Sequence, residues 1–412
     1  MRVTTLLRAV LGLKHTRILG FRFTETALVV AVKPTKRSSF CSTCGGGAAR
    51  YDHRPRTWRH LDACGLEIEL EYAIWRVACP RCGVTTEMVP WADPVSGFTY
   101  AFEDLVAYLT QRADKTTVSR LMRIAWKTVG RIIERVVARL GDRREERFAD
   151  LRNIGIDELS YRRHHEYITI VTDHDSGRVV WAAPGKDAET ALSFFRELGP
   201  DRSKKLETIS IDMSKAYKAA VEQAAPHARV VFDRFHVQRL AHDALDKVRR
   251  EQVRELAGTD EASAVKKTRF ALQKNPWNLT QADHEKLAQV QSSNRPLYRA
   301  YLLKETLADI LDRRQVNVAR TKLIEWMAWA ARSRLAPFRK AARTIKEHLE
   351  GILAYIATGL SNGRAEGMNG KVRTITRRAY GFHGPWSLIA LIFLCCSAIV
   401  VPPPHRFPHL DS

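Results

Sequence analysis

The chain has 412 residues, 45% of them apolar and 27% charged, enough to bury cores in about two to four domains and too apolar to remain disordered throughout. Lys and Arg number 67 against 45 Asp and Glu, a formal charge of +22 that argues against an ordinary metabolic enzyme and for a polyanionic partner, nucleic acid first. Seven cysteines are too few for a disulfide scaffold, and four of them form two Cys-x-x-Cys pairs, so a reducing, cytoplasmic compartment is expected. The opening MRVTTLLRAVLGLKH lacks the pattern of a secretory signal. The strongest apolar run, 387–401, is shorter than the roughly 20 residues a bilayer span needs. It reads as a buried helix, and no membrane partner is expected.

Residues 1–95 mix short β-type runs (27–32, 66–72, 75–78) with Gly- and Cys-bearing turns, and read as a β-rich zinc-ribbon domain. Cys41/Cys44 and Cys79/Cys82, separated by residues 45–78, supply two thiolate knuckles for a structural, tetrahedral Zn²⁺. Gly45 and Gly83 follow the pairs, where a knuckle turn needs an unhindered backbone. Cys64 reads as a packing residue, as do Cys395 and Cys396.

Residues 100–148 change to a helical period. Val118, Leu121, Ala125, Val129, Ile132, Val136 and Leu140 recur every three or four residues, interleaved with Arg120, Arg123, Lys127, Arg131, Arg135 and Arg139. An apolar face and a cationic face suit a helix-turn-helix: a first helix capped at Thr117-Val118-Ser119, a second from about Trp126 to Val137, with Lys127, Arg131 and Arg135 meeting DNA. A solvated helix with incidental arginines is the alternative, weakened by the adjacent ribbon and the overall charge.

Residues 152–240 alternate strands and helices: NIGID, EYITIVTD, a DSG turn, RVVWAA, a helix over 187–198, ETISID, a helix from Ser214, and ARVVFD. A helical, Arg/Lys-rich stretch over 241–358 interrupts this α/β domain, which resumes over 359–402. Asp157 ends NIGID and Asp212 ends TISID, each an acid after an apolar strand. With the strand order of ribonuclease-H-like domains, the first and fourth strands are neighbours and the two acids converge. Glu366 lies in SNGRAEGMNGKVR, where Ser361-Asn362 starts a helix and places Asn369 and Arg373 on its face. Two Asp and one Glu suit a pair of Mg²⁺ or Mn²⁺ ions ~4 Å apart serving in-line phosphoryl transfer. Taken singly, each acid could equally be a helix cap or a solvated turn. Asp173 and Asp175 read as turn-forming carboxylates, and strand alternation turns Glu158 away from Asp157.

Lys371, Arg373 and Arg377, with Arg364, Arg378, Tyr380 and Phe382 nearby, form a basic stretch suited to clamping a DNA backbone. In the helical stretch, Trp277, Trp326 and Trp329 read as core before base-stacking groups.

Taken together, CSTCGG and CPRCG, the basic helix-turn-helix, GIDE, SIDMSKAY, FDRFHV and SNGRAEGMNGKVRTITRRAYGFH resemble the bacterial DDE-type insertion-sequence transposases of the ISL-three family, over about residues 38–400. That resemblance implies the triad Asp157, Asp212 and Glu366, and a ribonuclease-H-like catalytic domain split by a helical insertion. Asp233 and His236 resemble the Asp-x-x-His element of several DDE families; on the residues alone, His236 could equally be a core histidine bonded to Asp233. The implied partners are double-stranded DNA, as inverted-repeat ends and target, and a second copy of the chain on DNA. A non-catalytic DNA-binding regulator derived from such an enzyme is the rival reading.

Overall fold

The computed structural model describes residues 3–403 apart from 37, 64, 142–143, 163–165, 361–362 and 379–383; for 144–145, 162, 363–366, 369 and 378 only the backbone is described. The chain divides into two units, one of Met1–Arg143 with Arg377–Ser412 and one of Arg144–Thr376.

In the first unit, helix α1 (Val3–Val10) precedes a hairpin of β1 (Thr16–Phe23) and β2 (Ala27–Pro34). Two long strands, β3 (Ala49–Ala63) and β4 (Leu66–Cys79), pair antiparallel, and short β5 (Gly83–Thr86) pairs with the far end of β4. The sheet order is β1-β2-β4-β3, with β2 parallel to β4, so the hairpin and the ribbon share one sheet. Alternation along these strands turns Val30, Val32, Trp58, Ile68, Leu70 and Ile74 into a core that Trp91 closes edge-on to Trp58.

Three helices follow: α2 (Tyr100–Thr110), α3 (Lys115–Met122) and α4 (Trp126–Gly141). The cap of α3 is not Thr117-Val118-Ser119. Asp114 accepts from the backbone N–H groups of Thr116 and Thr117, which frees Val118 to lie fully buried inside. Arg123, in the left-handed region at φ 54°, ends α3.

The apolar run is the expected buried helix, Pro385–Cys396, and it packs within this first unit. The reason is the apolar face of α4, which the helix covers: Gln111 Nε2 donates to the Leu394 carbonyl at 2.7 Å, and the Ser387 hydroxyl donates to Glu134. No helix among the described residues is long and apolar enough to cross a membrane.

The second unit begins with α5 (Arg144–Arg147) and a meander of β6 (Asn153–Arg162), β7 (Glu166–Asp173) and β8 (Arg178–Pro184). Then come α6 (Ala188–Leu198), α7 (Pro200–Ser203), β9 (Thr208–Ile211), α8 (Lys215–Ala224) and β10 (Arg229–Phe232). The sheet order is β10-β9-β6-β7-β8; β6, β7 and β8 are antiparallel, while β9 and β10 run parallel to β6. All four residues of β9 are buried, as a central strand covered on both faces requires.

From Asp233 onward the chain is helical: α9 (Arg234–Glu255), α10 (Asp260–Lys266), α11 (Arg269–Gln273), α12 (Gln281–Ser293), α13 (Arg295–Leu311), α14 (Val316–Arg332), α15 (Ala336–Glu347), α16 (Leu349–Thr358) and α17 (Gly363–Arg378). Helices α9–α16 share one continuous core with the sheet, from Ile154 and Ile209 through Leu245 and Leu303 to Ile352. Trp326 is buried and donates Nε1–H to the Leu303 carbonyl at 2.8 Å, whereas Trp277 is exposed.

Helix α16 lies so close to β10 that a Cβ on Gly351 would stand 2.4 Å from the Phe232 ring. Gly351→Ala gains up to about 1 kcal/mol of helix propensity and forces this overlap. A net destabilisation of about 1–3 kcal/mol is expected in urea unfolding of the second unit's transition.

Candidate active site, metal centre and DNA-reading surface

The metal centre is built by two tight turns. Cys41 and Cys44 lie in the loop before β3, where Cys41 N–H donates to the Gly46 carbonyl at 2.8 Å and Gly45, at φ +69°, donates back to the Cys41 carbonyl at 2.9 Å. Cys79 ends β4, and Cys82 sits in the turn to β5, which Gly83 closes at φ +73°. All four sulfurs lie within 4.8 Å of one another, with Cys44 and Cys79 at 3.6 Å. A tetrahedral Zn²⁺ with Zn–S near 2.3 Å sets sulfurs roughly 3.8 Å apart, so the donor set fits. The Gly46 N–H, first among several hydrogen bonds, holds the Cys44 thiol down at about 6, which favours the thiolate a metal needs.

The acidic pocket lies in the second unit. Asp157 is not at a strand end, since β6 runs on to Arg162 against β7. What stops is its parallel pairing with β9, whose last pair is Gly155 with Ser210. Each strand carries its acid two residues further on, so Asp157 and Asp212 fall on the same face as Gly155 and Ser210. Ile154, Ile156, Ile209 and Ile211 take the other face, into the core. Asp157 Oδ1 accepts the Glu158 N–H at 2.7 Å and Asp212 Oδ1 accepts the Ser214 N–H at 2.9 Å, which fixes both carboxylates.

Both acids line one pocket with Gly155, His174, Asp233 and His236. Burial pushes the Asp212 carboxyl up; the Ser214 N–H and His236 hold it down, and the Asp157 charge adds to the upward push. A carboxyl pushed up by burial and a neighbouring carboxylate is what a divalent cation would relieve, and oxygen donors suit a hard one. Asp233 caps α9, accepting the Phe235 N–H at 2.9 Å, and its other oxygen stands 4.0 Å from His236 Nε2. His236 is therefore beside Asp233 and inside the pocket.

Glu366 lies on α17, but its side chain, with that of Asn369, falls outside the described residues, as do Ser361, Asn362, Tyr380 and Phe382. Among the described residues, only the four cysteines bring three or more ligand atoms within metal-binding distance.

Glu158 does not line the pocket, as alternation expects, though burial and then the Asp212 charge raise its carboxyl. Asp173 does form its turn, accepting the Asp175 N–H at 3.0 Å and the Ser176 N–H at 3.2 Å. His174 between them is 7% exposed and lines the pocket. Its signal was parity, since it continues the alternation of Thr172. Burial holds this imidazole below its usual range.

The cationic stripe of α4 is not uniform. Lys127 and Arg131 are exposed, as are Lys371, Arg373 and Arg377 on α17, whose opposite face buries Val372 and Ile375. Arg135 instead turns inward: its Nη2 lies 2.6 Å from Glu103 Oε1, an oxygen that also accepts from Ser96 Oγ at 2.6 Å, and Glu103 is 1% exposed. A charge four residues from Arg131 cannot be told from it by spacing alone, and the partner that claims it lies on α2. Arg123, in the turn between α3 and α4, pairs with Asp62 and Glu67 at the tip of the β3–β4 hairpin, and Arg59 pairs with the same two acids. That network ties the helical turn to the ribbon.

Three family profiles match the chain. One of ISL3-type DDE proteins, described as a transposase, covers residues 154–392; a helix-turn-helix domain of transposase family ISL3 covers 87–137; and a zinc-finger of transposases of the IS204/IS1001/IS1096/IS1165 elements covers 37–82. The chain is 40% identical to the transposase for insertion sequence element IS1557 of Mycobacterium tuberculosis, over the whole of both chains. It is 28% identical to the transposase for element IS1001 of Bordetella parapertussis, over 86% of this chain and 88% of that one.

Arg135→Ala is expected to leave Glu103 buried without its cation, destabilising the first unit by about 3 kcal/mol. Arg131→Ala should keep the melting temperature and instead weaken DNA binding, lowering the salt slope by about 1. Paired melting and salt-titration curves separate the two. For the metal centre, Cys79→Ser should lose bound zinc by metal analysis and lower the first unit's melting transition, while the second unit's transition stays in place.

Proposed function

The chain belongs to the ISL3 family of DDE transposases, enzymes that bind DNA and catalyse its cleavage and transfer, and we propose that Asp157, Asp212 and Glu366 are its catalytic acids, with His236 beside them. The observation that carries this reading is the placement of Asp157 and Asp212 side by side on one face of β6 and β9, in a pocket shared with Asp233 and His236. The strand order β10-β9-β6-β7-β8, three antiparallel strands followed by two parallel ones, supports a ribonuclease-H-like catalytic domain with α9–α16 as its helical insertion.

The three carboxylates would hold Mg²⁺ or Mn²⁺, whose chemistry is neutralisation of charge at the attacking and leaving oxygens of an in-line phosphoryl transfer. The protein's part is positioning. Backbone N–H groups of Glu158 and Ser214 fix the two aspartates, the sheet fixes their spacing, and exposed Lys371 and Arg373 engage phosphates near the cut. Water attacks first and releases a 3′-hydroxyl; that hydroxyl then attacks target DNA, so both transfers run at one site without a covalent enzyme intermediate.

The zinc ribbon, with structural Zn²⁺ on Cys41, Cys44, Cys79 and Cys82, and the helix-turn-helix with Lys127 and Arg131 exposed, would read the terminal inverted repeats of the element. Bringing two ends together calls for at least a dimer on DNA. The thiolate centre suits the cytoplasm, at the nucleoid.

Asp157→Asn and Asp212→Asn should each leave end binding intact in a gel shift and reduce Mg²⁺-dependent cutting of labelled element ends on the order of 1,000-fold or more. Normal cutting by either variant overturns the assignment and leaves a DNA-binding protein with a different reaction centre.

A further inference from the structure

His174 takes no part in the triad, yet it is built into the same pocket. Its backbone N–H donates to the Asn153 carbonyl at 2.8 Å, so the β6–β7 ladder continues one residue past the end of β7. Alternation then places its side chain with Thr172, on the face that carries Gly155, Ser210, Asp157 and Asp212. The imidazole lies directly over Gly155: a Cβ there would stand 2.8 Å from Nε2 and 3.1 Å from Cε1. At 7% exposed the ring is more than nine-tenths buried, and Nε2 finds no hydrogen-bond partner among the described residues.

A buried, unpaired ring nitrogen costs about 1–3 kcal/mol. Folds leave few such atoms, and one that lines a pocket of acids is placed to meet a ligand, an ion or a water there. The pocket narrows that partner's chemistry. Its charged side chains are the carboxylates of Asp157, Asp212 and Asp233, fixed by backbone N–H groups or by capping, so none has to supply the missing bond. The reacting group of a strand-cleaving enzyme is a phosphodiester, whose non-bridging oxygens only accept. A neutral imidazole carries one N–H.

Resting on the catalytic reading above, we propose that His174 is a further substrate-contacting residue: its Nε2–H donates to a non-bridging oxygen of the DNA phosphate that enters the pocket. Gly155 is the device that permits this, since any side chain at 155 displaces the ring. The bond holds the phosphate and grows stronger as negative charge builds on its oxygens. No proton is transferred and no covalent bond is made or broken by the residue.

The test uses the full chain with duplex DNA of the element's ends. His174→Ala and Gly155→Ala should each slow single-turnover cleavage about 100-fold, with end affinity falling by a much smaller factor. His174→Gln, which keeps an N–H on a side chain of similar reach, should recover part of the rate. The double variant Gly155→Ala/His174→Ala should be no slower than either single one, because both remove the same contact. In the wild type, the His174 ¹⁵N resonance, assigned by its loss in His174→Gln, should shift when end DNA is added. Normal cleavage by His174→Ala overturns the proposal. So does a Gln variant as slow as the Ala variant with equally lowered melting and an unshifted resonance, which marks a packing role. Asp212→Asn is the control: if it still cuts, the site reading fails as a whole, whereas a dead Asp212→Asn beside an active His174→Ala sinks this inference alone.

Discussion

The parallel pairing of β9 with β6 is the constraint on which the second unit depends. Hydrogen-bonded strands stand about 4.8 Å apart, so once Gly155 faces Ser210, the acids two residues beyond have no freedom to separate. Isoleucines at 154, 156, 209 and 211 lock the register, because a slip of one residue would drive both carboxylates into the core and four apolar side chains out of it. Apolar burial on one face thus sets which side chains the other face presents, and it brings Asp157 and Asp212 to one pocket.

The first unit solves a different problem, which is holding a small ribbon and a short helical pair as one body. Four clustered cysteine sulfurs stand at the far end of β4, while Arg59 and Arg123 fix the hairpin tip by sharing Asp62 and Glu67. Exposed ion pairs contribute little singly, but this one is a network of two cations and two anions that closes across β3, β4 and the helical turn. The buried Glu103–Arg135 pair adds a cross-link between α2 and α4. A solvent-exposed cation, Arg131, and a fold-holding one, Arg135, therefore sit on the same helix, one turn apart.

Much of this was legible in the sequence. Thiolate spacing found the metal centre, period-two runs found the strands, and two acids after apolar strands found the heart of the pocket. What escaped depended on partners distant in sequence or on parity. Arg135 looked like Arg131 because nothing local announces Glu103. His174 was hidden between two turn-forming aspartates, in a motif that reads as solvent-exposed even though the ladder carries one residue further. Asp157 looked like a strand end because NIGID ends its apolar run there, whereas β6 continues with a polar sequence that β7 alone supports. The cap of α3 was misplaced because Asp114 precedes Thr116, Thr117 and Ser119, which are capping residue types themselves.

The helix Pro385–Cys396 covers α4 from the opposite end of the chain. During synthesis the ribosome delivers α4 long before that cover, and the sheet of the second unit is complete in the interval. The first unit is consequently the last part to finish its hydrophobic core, so an incomplete nascent chain carries acids already in register but an α4 that only α2 and α3 cover.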